Sequence, residues 1–225
     1  MIELTKKKDI VSLSPINELQ IFGSAQDFRE FLMMYESAIK EVRTKLEILN
    51  DDFTATYNRN PIESIKSRVK SADSILEKMR RKNYEMTMES MMENLNDIAG
   101  VRVVCKFVDD IYTVAKMLAT QDDIRIVKVK DYIKAPKENG YRSYHMIIEI
   151  PVFFANRKQY MKVEVQLRTI AMNFWASLEH QMRYKKVSEN KNNIGSRLKY
   201  CAEVIARLDV EMQNISNSIN DSDDL

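Results

Sequence analysis

Between Met161 and Thr169, apolar and polar residues alternate strictly. Val163, Val165 and Leu167 fall on one side, and Lys162, Glu164, Gln166 and Arg168 on the other. A period of two is that of a β-strand with one buried face. Beyond Thr169 the period changes. Ala171, Trp175, Leu178 and Met182, with Phe174 beside them, recur at helical spacing, and Thr169 is placed to cap them. The pattern predicts a strand running straight into a helix. The strand's polar face carries a carboxylate between two cations, with an amide. That is either a half-exposed edge with solvated charges or a place where phosphate and metal are held at a helix N-terminus.

Two long helices are predicted at the ends. Phe28, Leu32, Tyr35, Ile39, Val42, Leu46 and Leu49 recur in steps of four and three, a heptad seam opened by a capping box at Ser24 and Asp27. Ile194, Leu198, Cys201, Ile205, Leu208, Met212 and Ile215 repeat that rhythm near the C-terminus, after a loop through Asn190 to Asn193. The two seams either pair with each other or build an oligomer interface. Residues 1–23 form an N-terminal segment without an assigned role, 24–216 read as one domain, and 217–225 as an acidic tail expected to fray.

A third helix is predicted from Asn60 and Pro61, with Glu63 as the reciprocal cap and Ile65, Val69, Ala72, Leu76 and Met79 inward. On its other side Lys70, Ser74, Lys78 and Arg81 line up, with Arg68 one turn earlier. Such a row is either solvated surface or a ladder for a polyphosphate. A short Met-rich helix over Met86 to Asn96 leads to Asp97-Ile-Ala-Gly100, read as a tight turn, and then to a buried strand from Val101. Asp109 to Ala119 reads as a helix and Ile124 to Val129 as a strand. Asp131 to Gly140 is a polar loop running into Tyr141-Arg142-Ser-Tyr-His145, whose continuation is a further strand. Pro151 to Tyr160 reads as a hairpin connection.

Composition narrows the classes. The chain has 225 residues, 44% hydrophobic and 30% charged, enough for a globular core. The net charge of +2 gives no global basic field, so RNA binding is not indicated. Cys105 and Cys201 each sit in an apolar pattern and read as small buried hydrophobes. Two histidines and no C-x-x-C pair exclude a zinc site of the usual kind. No signal peptide or membrane span is seen, so a cytoplasmic location is expected.

Asp97 and Glu164, on neighbouring strands, are candidates to share one Mg²⁺, which takes only one or two protein carboxylates and leaves the rest to water and phosphate. The ladder of cations would then serve phosphoryl transfer, where positioning and charge neutralisation do most of the chemistry. No P-loop and no protein-kinase signature is present. Tyr141 is either a packing aromatic or a platform for a base.

The stretches N-P-I-E-S-I-K-S-R-V-K-S, D-I-A-G-V-R, K-D-Y-I-K-A-P-K-E-N-G-Y-R-S-Y-H and V-E-V-Q-L-R-T-I-A-M-N-F-W-A-S-L-E-H resemble the bacterial small alarmone synthetases, single-domain relatives of the RelA/SpoT enzymes. K-S-R-V-K-S and R-I-V-K-V-K-D-Y-I look closer to the RelP (YwaC) branch than to the RelQ (YjbM) branch. The resemblance implies an α+β fold: a mixed sheet of about five strands with flanking helices, nucleotidyltransferase-like, with long terminal helices. It implies transfer of the β,γ-pyrophosphate of ATP to the ribose 3′-hydroxyl of GDP or GTP, giving (p)ppGpp and AMP. By resemblance Asp97 and Glu164 hold Mg²⁺, and Glu164 also takes the 3′-hydroxyl proton. Arg68 and Arg102 sandwich adenine, and Lys70, Ser74, Lys78 and Arg81 hold the ATP phosphates. Tyr141 stacks on guanine and Asn173 contacts its edge. Lys130, Lys137 and His145 serve the acceptor's phosphates or ribose, and Arg142 and Gln166 join the same GDP/GTP group. Neither His145 nor His180 precedes an Asp, so the His-Asp hydrolase motif of the large relatives is missing and synthesis without degradation is expected, with no room for regulatory domains. The family forms homotetramers. In the RelQ branch the central cleft of the tetramer binds the guanine alarmone as an activator, and the stretch after Pro-Ile-Glu carries an aromatic residue and a Thr-Gly pair; here Ser64-Ile65-Lys66-Ser67 stand there, a departure that bears on that activation and not on the expected tetramer. The rival readings are a non-catalytic nucleotide- or RNA-binding module on the same fold, and a nucleotidyltransferase that releases pyrophosphate.

Overall fold

The computed structural model describes residues 25–184 and 191–223. The residues before 25, the capping box at Ser24 included, and the basic pair at 185–186 lie outside them. Helix α1 (Ala25–Tyr57) is followed by β1 (Ile62–Val69), α2 (Ala72–Lys82), α3 (Met88–Asn94), β2 (Ala99–Cys105), α4 (Val108–Ala119), β3 (Arg125–Asp131), β4 (Tyr144–Phe153), β5 (Lys158–Thr169), α5 (Ile170–Tyr184) and α6 (Lys191–Asp223). The five strands form one mixed sheet in the order β1-β2-β5-β4-β3. Only β2 and β5 run parallel; the other pairs are antiparallel.

Register sorts the side chains. Val101, Val103, Val163, Val165, Leu167, Met146, Ile148 and Ile150 are all buried on one face. Helices α1 and α4 cover that face. The opposite face carries Lys66 beside Arg102, Arg102 beside Gln166, Gln166 beside His145 and His145 beside Lys130, one residue per strand straight across the sheet. Burying one face and keeping charge on the other is what strict alternation demands.

Several predicted elements are redrawn. The helix expected from Pro61 is a strand followed by a separate helix. A step of four satisfies both periods, so Ile65 and Val69 fit either; β-branched residues and Ser then favour the strand, once β2 offers a partner. Asn60 does cap, but as a turn: its Oδ1 accepts from the Ile62 N–H at 2.9 Å. Gly100 makes no turn. It lies inside β2 opposite Arg68 and Glu164, and its missing side chain leaves room between them. The hairpin read over Pro151 to Tyr160 is there, with its strands longer than expected: Pro151 pairs with Tyr160 and Phe153 with Lys158 across the turn.

The terminal helices do not share a seam. Helix α1 buries a broader face than a heptad stripe, adding Phe31 and Ala38 to Tyr35, Val42 and Leu46. Helix α6 packs on α5 and α4 through Leu198, Ala202, Ile205 and Asp209, a stripe turned away from the expected one. Cys201, Leu208, Met212 and Ile215 are therefore exposed, and Cys201 is not a buried hydrophobe. Cys105 is buried, and burial followed by the nearby Asp110 pushes its thiol pKa up, so it stays an unreactive thiol. Helix α6 starts at Lys191, within the expected loop, and continues to Asp223 through most of the tail expected to fray. In α5 the buried residues are Met172, Trp175 and Ala176, whereas Phe174, Leu178 and Met182 are exposed.

Candidate active site

A groove of about 280 Å³ opens on the polar face of the sheet, lined by β1, β2 and β5 and by the turn before β2. Lys66, Arg68, Lys70, Asp97, Arg102, Glu164 and Gln166 line it, with Gly100 in its floor. Cations outnumber carboxylates there, as a polyphosphate requires.

Asp97 sits two residues before β2, where its backbone neighbour Ile98 accepts a hydrogen bond from the Lys70 N–H at 2.8 Å. That bond sets the end of β1 beside Asp97. Lys70 Nζ then donates to Asp97 Oδ2 and Lys78 Nζ to Oδ1, both at 2.7 Å. Burial alone would raise this carboxyl's pKa; the two ammonium groups outweigh it and hold it below the usual value. Lys78 projects from α2, whose Ile75, Leu76 and Met79 are anchored in the core, so the helix is fixed where it presents the lysine. Ser74 lies on the same helix and its hydroxyl accepts from Ser71 at 2.8 Å. Arg81, in the last turn, is exposed.

Glu164 ends two hydrogen-bond chains that both begin at Arg168. One Arg168 nitrogen donates to Tyr141 Oη at 2.7 Å and to Gln166 Oε1 at 3.0 Å. Gln166 Nε2 donates to Glu164 Oε2 at 2.8 Å. Tyr141 Oη lies 2.8 Å from His145 Nε2, and His145 Nδ1 3.1 Å from Glu164 Oε1. The Glu164 carboxylate can only accept, so His145 gives it the Nδ1–H; in the neutral imidazole Nε2 then accepts the Tyr141 O–H, while Tyr141 Oη accepts from Arg168. Burial raises the Glu164 carboxyl's pKa, but the His145 and Gln166 hydrogen bonds bring it below the usual value in spite of the Asp97 charge nearby. The carboxylate is thus ionised and held by two donors. Arg168 is buried, with its Nε unpartnered among the described residues, as is Nε of Arg102. Burial, and then the adjacent Arg168 guanidinium, lower the Arg102 pKa.

The loop between β3 and β4 brings Tyr141 to this network. Asp131 Oδ1 accepts from the Ile133 and Lys134 N–H groups, and Lys137 and Tyr141 close a further turn. The Lys137 ammonium lies 4.9 Å from the Tyr141 ring centre and 4.8 Å from that of Tyr132. Tyr132, Tyr141 and His145 form an edge-to-face set.

The structure therefore brings together Arg68, Lys70, Lys78, Asp97, Arg102, Glu164 and Gln166 around one groove, and joins His145, Tyr141 and Lys137 to it. Lys130 is exposed on the edge strand, in register with His145. Asn173 sits in the first turn of α5 with Oδ1 buried and unpartnered among the described residues. Arg142, expected in the GDP/GTP group, has its guanidinium turned onto α6, donating to the carbonyls of Ala202 at 3.3 Å and Gly140 at 3.2 Å. Arg168 and Tyr132 were not expected here. Arg168 had a signal, since it shares the polar strand face with Glu164 and Gln166; Tyr132 had none beyond lying in the polar loop.

A family model described as the region found in RelA/SpoT proteins matches residues 67–189. GTP pyrophosphokinase YwaC of Bacillus subtilis is 46% identical over 87% of this chain and 93% of that protein. GTP pyrophosphokinase YjbM of the same organism is 38% identical over 88% and 92%. Among solved structures, small alarmone synthetase 1 of B. subtilis bound to its product pppGpp superposes with a TM-score of 0.78 at 38% identity, over 86% of this chain and 98% of that one. Small alarmone synthetase 2 of B. subtilis gives 0.75 at 47% identity, over 83% and 97%. This chain belongs to the RelA/SpoT family, among its small alarmone synthetases. No helix of the described residues is long and apolar enough to cross a membrane.

Proposed function

We propose that this chain is a GTP pyrophosphokinase that moves the β,γ-pyrophosphate of ATP to the ribose 3′-hydroxyl of GDP or GTP, releasing AMP and making (p)ppGpp in the cytoplasm. The observation that carries the reading is the pairing of two ionised carboxylates, Asp97 and Glu164, in one cation-lined groove. The relatives named as GTP pyrophosphokinases support it.

Asp97 and Glu164 fit Mg²⁺: two oxygen-donor carboxylates with open groove between them and phosphates to complete the shell. Bound there, the metal would neutralise charge on the transferring phosphoryl groups. Lys70 and Lys78, now on Asp97, are within a side-chain swing of that space and take the ATP phosphates, with Ser74 beside them. Arg68 and Arg102 offer guanidinium planes for adenine, a stack that lysine does not reproduce. Tyr141 offers its ring to guanine, Asn173 a buried amide oxygen to its edge, and Lys130 and Lys137 charge to the acceptor's 5′ phosphates. Glu164 takes the 3′-hydroxyl proton; the donors from His145 and Gln166 aim its carboxylate and keep it charged until that moment. The exposed apolar stripe of α6, with Cys201, Leu208, Met212 and Ile215, is the face that a homotetramer would cover.

The test is a reaction of the purified chain with ATP, GDP and Mg²⁺, resolved by anion exchange. AMP formed one-for-one with a 3′-pyrophosphorylated guanosine nucleotide supports the reading. Release of inorganic pyrophosphate instead, or no product with GDP or GTP, overturns it.

A further inference from the structure

Helix α6 lines no part of the groove, yet it is fastened to the loop that carries Tyr141. Gly140 adopts φ of 87°, a left-handed backbone that favours glycine, and a Cβ placed there would lie 2.6 Å from the Ala202 Cβ. The loop backbone therefore rests directly on α6. The Tyr141 ring packs against a small cluster of Trp175, Ala176 and Ala202. Two side chains then grip successive turns of the helix. Trp175 Nε1 donates to the Leu198 carbonyl at 2.9 Å, and Arg142 to the Ala202 carbonyl four residues on. Further along, Thr169 donates to Asp209 at 2.7 Å while its hydroxyl also accepts from the Met172 N–H, capping α5. Gln213 accepts from the Asp109 N–H at the start of α4. These fastenings run from Leu198 to Gln213, about 22 Å of helix at 1.5 Å per residue.

We propose that α6 is the mount of the acceptor-nucleotide loop, and that Ala202 and Arg142 are positioning residues for the acceptor: the Gly140–Ala202 contact and the Arg142 staple set where the Tyr141 ring stands. This rests on the pyrophosphokinase reading, in which Tyr141 meets guanine. The same helix leaves the flank beside this stripe, with Cys201, Leu208, Met212 and Ile215, exposed, so a partner that covers this flank presses on the acceptor loop through a single rigid element. Among the described residues the cations of the ATP side come from β1, β2 and α2 and from the turn after β1, and none of them contacts Ala202.

The experiment uses the full chain with two substitutions, Ala202→Val, which pushes a branched side chain at Gly140, and Arg142→Gln, which removes the staple. The expected result is a rise in KM for GDP on the order of tenfold. KM for ATP should stay within about twofold, as for sites that do not share partners. Calorimetric affinity for GDP and for a non-hydrolysable ATP analogue should split in the same way. If KM for ATP and KM for GDP rise together, or neither moves, the mount is overturned. Should Ala202→Val fail to fold by circular dichroism, Arg142→Gln decides alone. A wild-type chain that binds both nucleotides without transfer would overturn the pyrophosphokinase reading, and the calorimetric split would still decide the mount.

Discussion

The two halves of the groove are built differently. The half proposed for ATP is made of regular elements: Arg68 and Arg102 stand on paired strands, and Lys78 on a helix anchored in the core. Lys70 and Lys78 converge on Asp97, and Arg68 and Arg102 are placed by the pairing of β1 with β2. The half proposed for the acceptor is carried by a loop, and the loop rests on α6, more than a hundred residues after the first strand. One half is a local product of strand register; the other waits for the C-terminal helix to dock.

The two halves meet at Glu164, and removing its charge should have the largest effect. Glu164→Gln keeps the shape and loses the proton acceptor. Transfer should fall by about 10²–10⁴, while calorimetric affinity for both nucleotides survives. Normal turnover by this variant would break the assignment of the base.

On the ATP side, Lys78→Ala deletes one charge-assisted hydrogen bond, roughly 1.5–3 kcal/mol. KM for ATP should rise about ten- to a hundredfold with KM for GDP unchanged. An equal rise in both would mean the halves are not separate.

On the acceptor side, Tyr141→Ala should weaken GDP by about 1–3 kcal/mol, the range for one base on an aromatic platform. Tyr141→Phe keeps the ring but cuts the link from Arg168 to His145. Its KM for GDP should stay near wild type and its kcat should fall. If the two substitutions behave alike, the ring has no stacking role separate from the hydroxyl.

The smallest effect concerns the mount. Burial raises the Asp209 carboxyl's pKa above its ordinary 3.8, despite the Thr169 hydrogen bond and the Arg142 charge. A carboxyl raised in the folded state contributes stability that is full below its unfolded pKa and is lost as pH rises through the folded one. At neutral pH Asp209 therefore carries a cost, and Asp209→Asn, which still accepts from Thr169, should match or exceed the wild-type Tm. The gap should close toward about pH 4. A lower Tm for the variant at neutral pH, with no change on acidification, would show that the charge itself holds α6.

Much of this was legible beforehand because one period was unambiguous. The alternation from Val163 to Leu167 identified both the core face and the polar face that carries Glu164, and the motif residues Asp97, Lys70 and Lys78 lie where the groove is. The helix assigned to Ile62–Val69 was illegible for a definite reason: apolar steps of four fit a helix and a strand equally, and only pairing with β2 decides between them. The contact of Arg142 with α6 was not legible, because nothing near Tyr141 in the sequence points to a helix sixty residues on.

The sequence by itself determined the residue types, the buried faces of β5 and α1, and the family resemblance, since these depend on local period and on identity at fixed spacing. The tertiary structure decided which cations neutralise Asp97, the path of contacts that links Arg168 to Glu164 through Tyr141, Gln166 and His145, which side of α6 faces inward, and the seating of Gly140 on Ala202. Each of these joins residues far apart in the chain, and a hydrogen bond or a van der Waals contact reads distance in space, which spacing along a sequence does not encode.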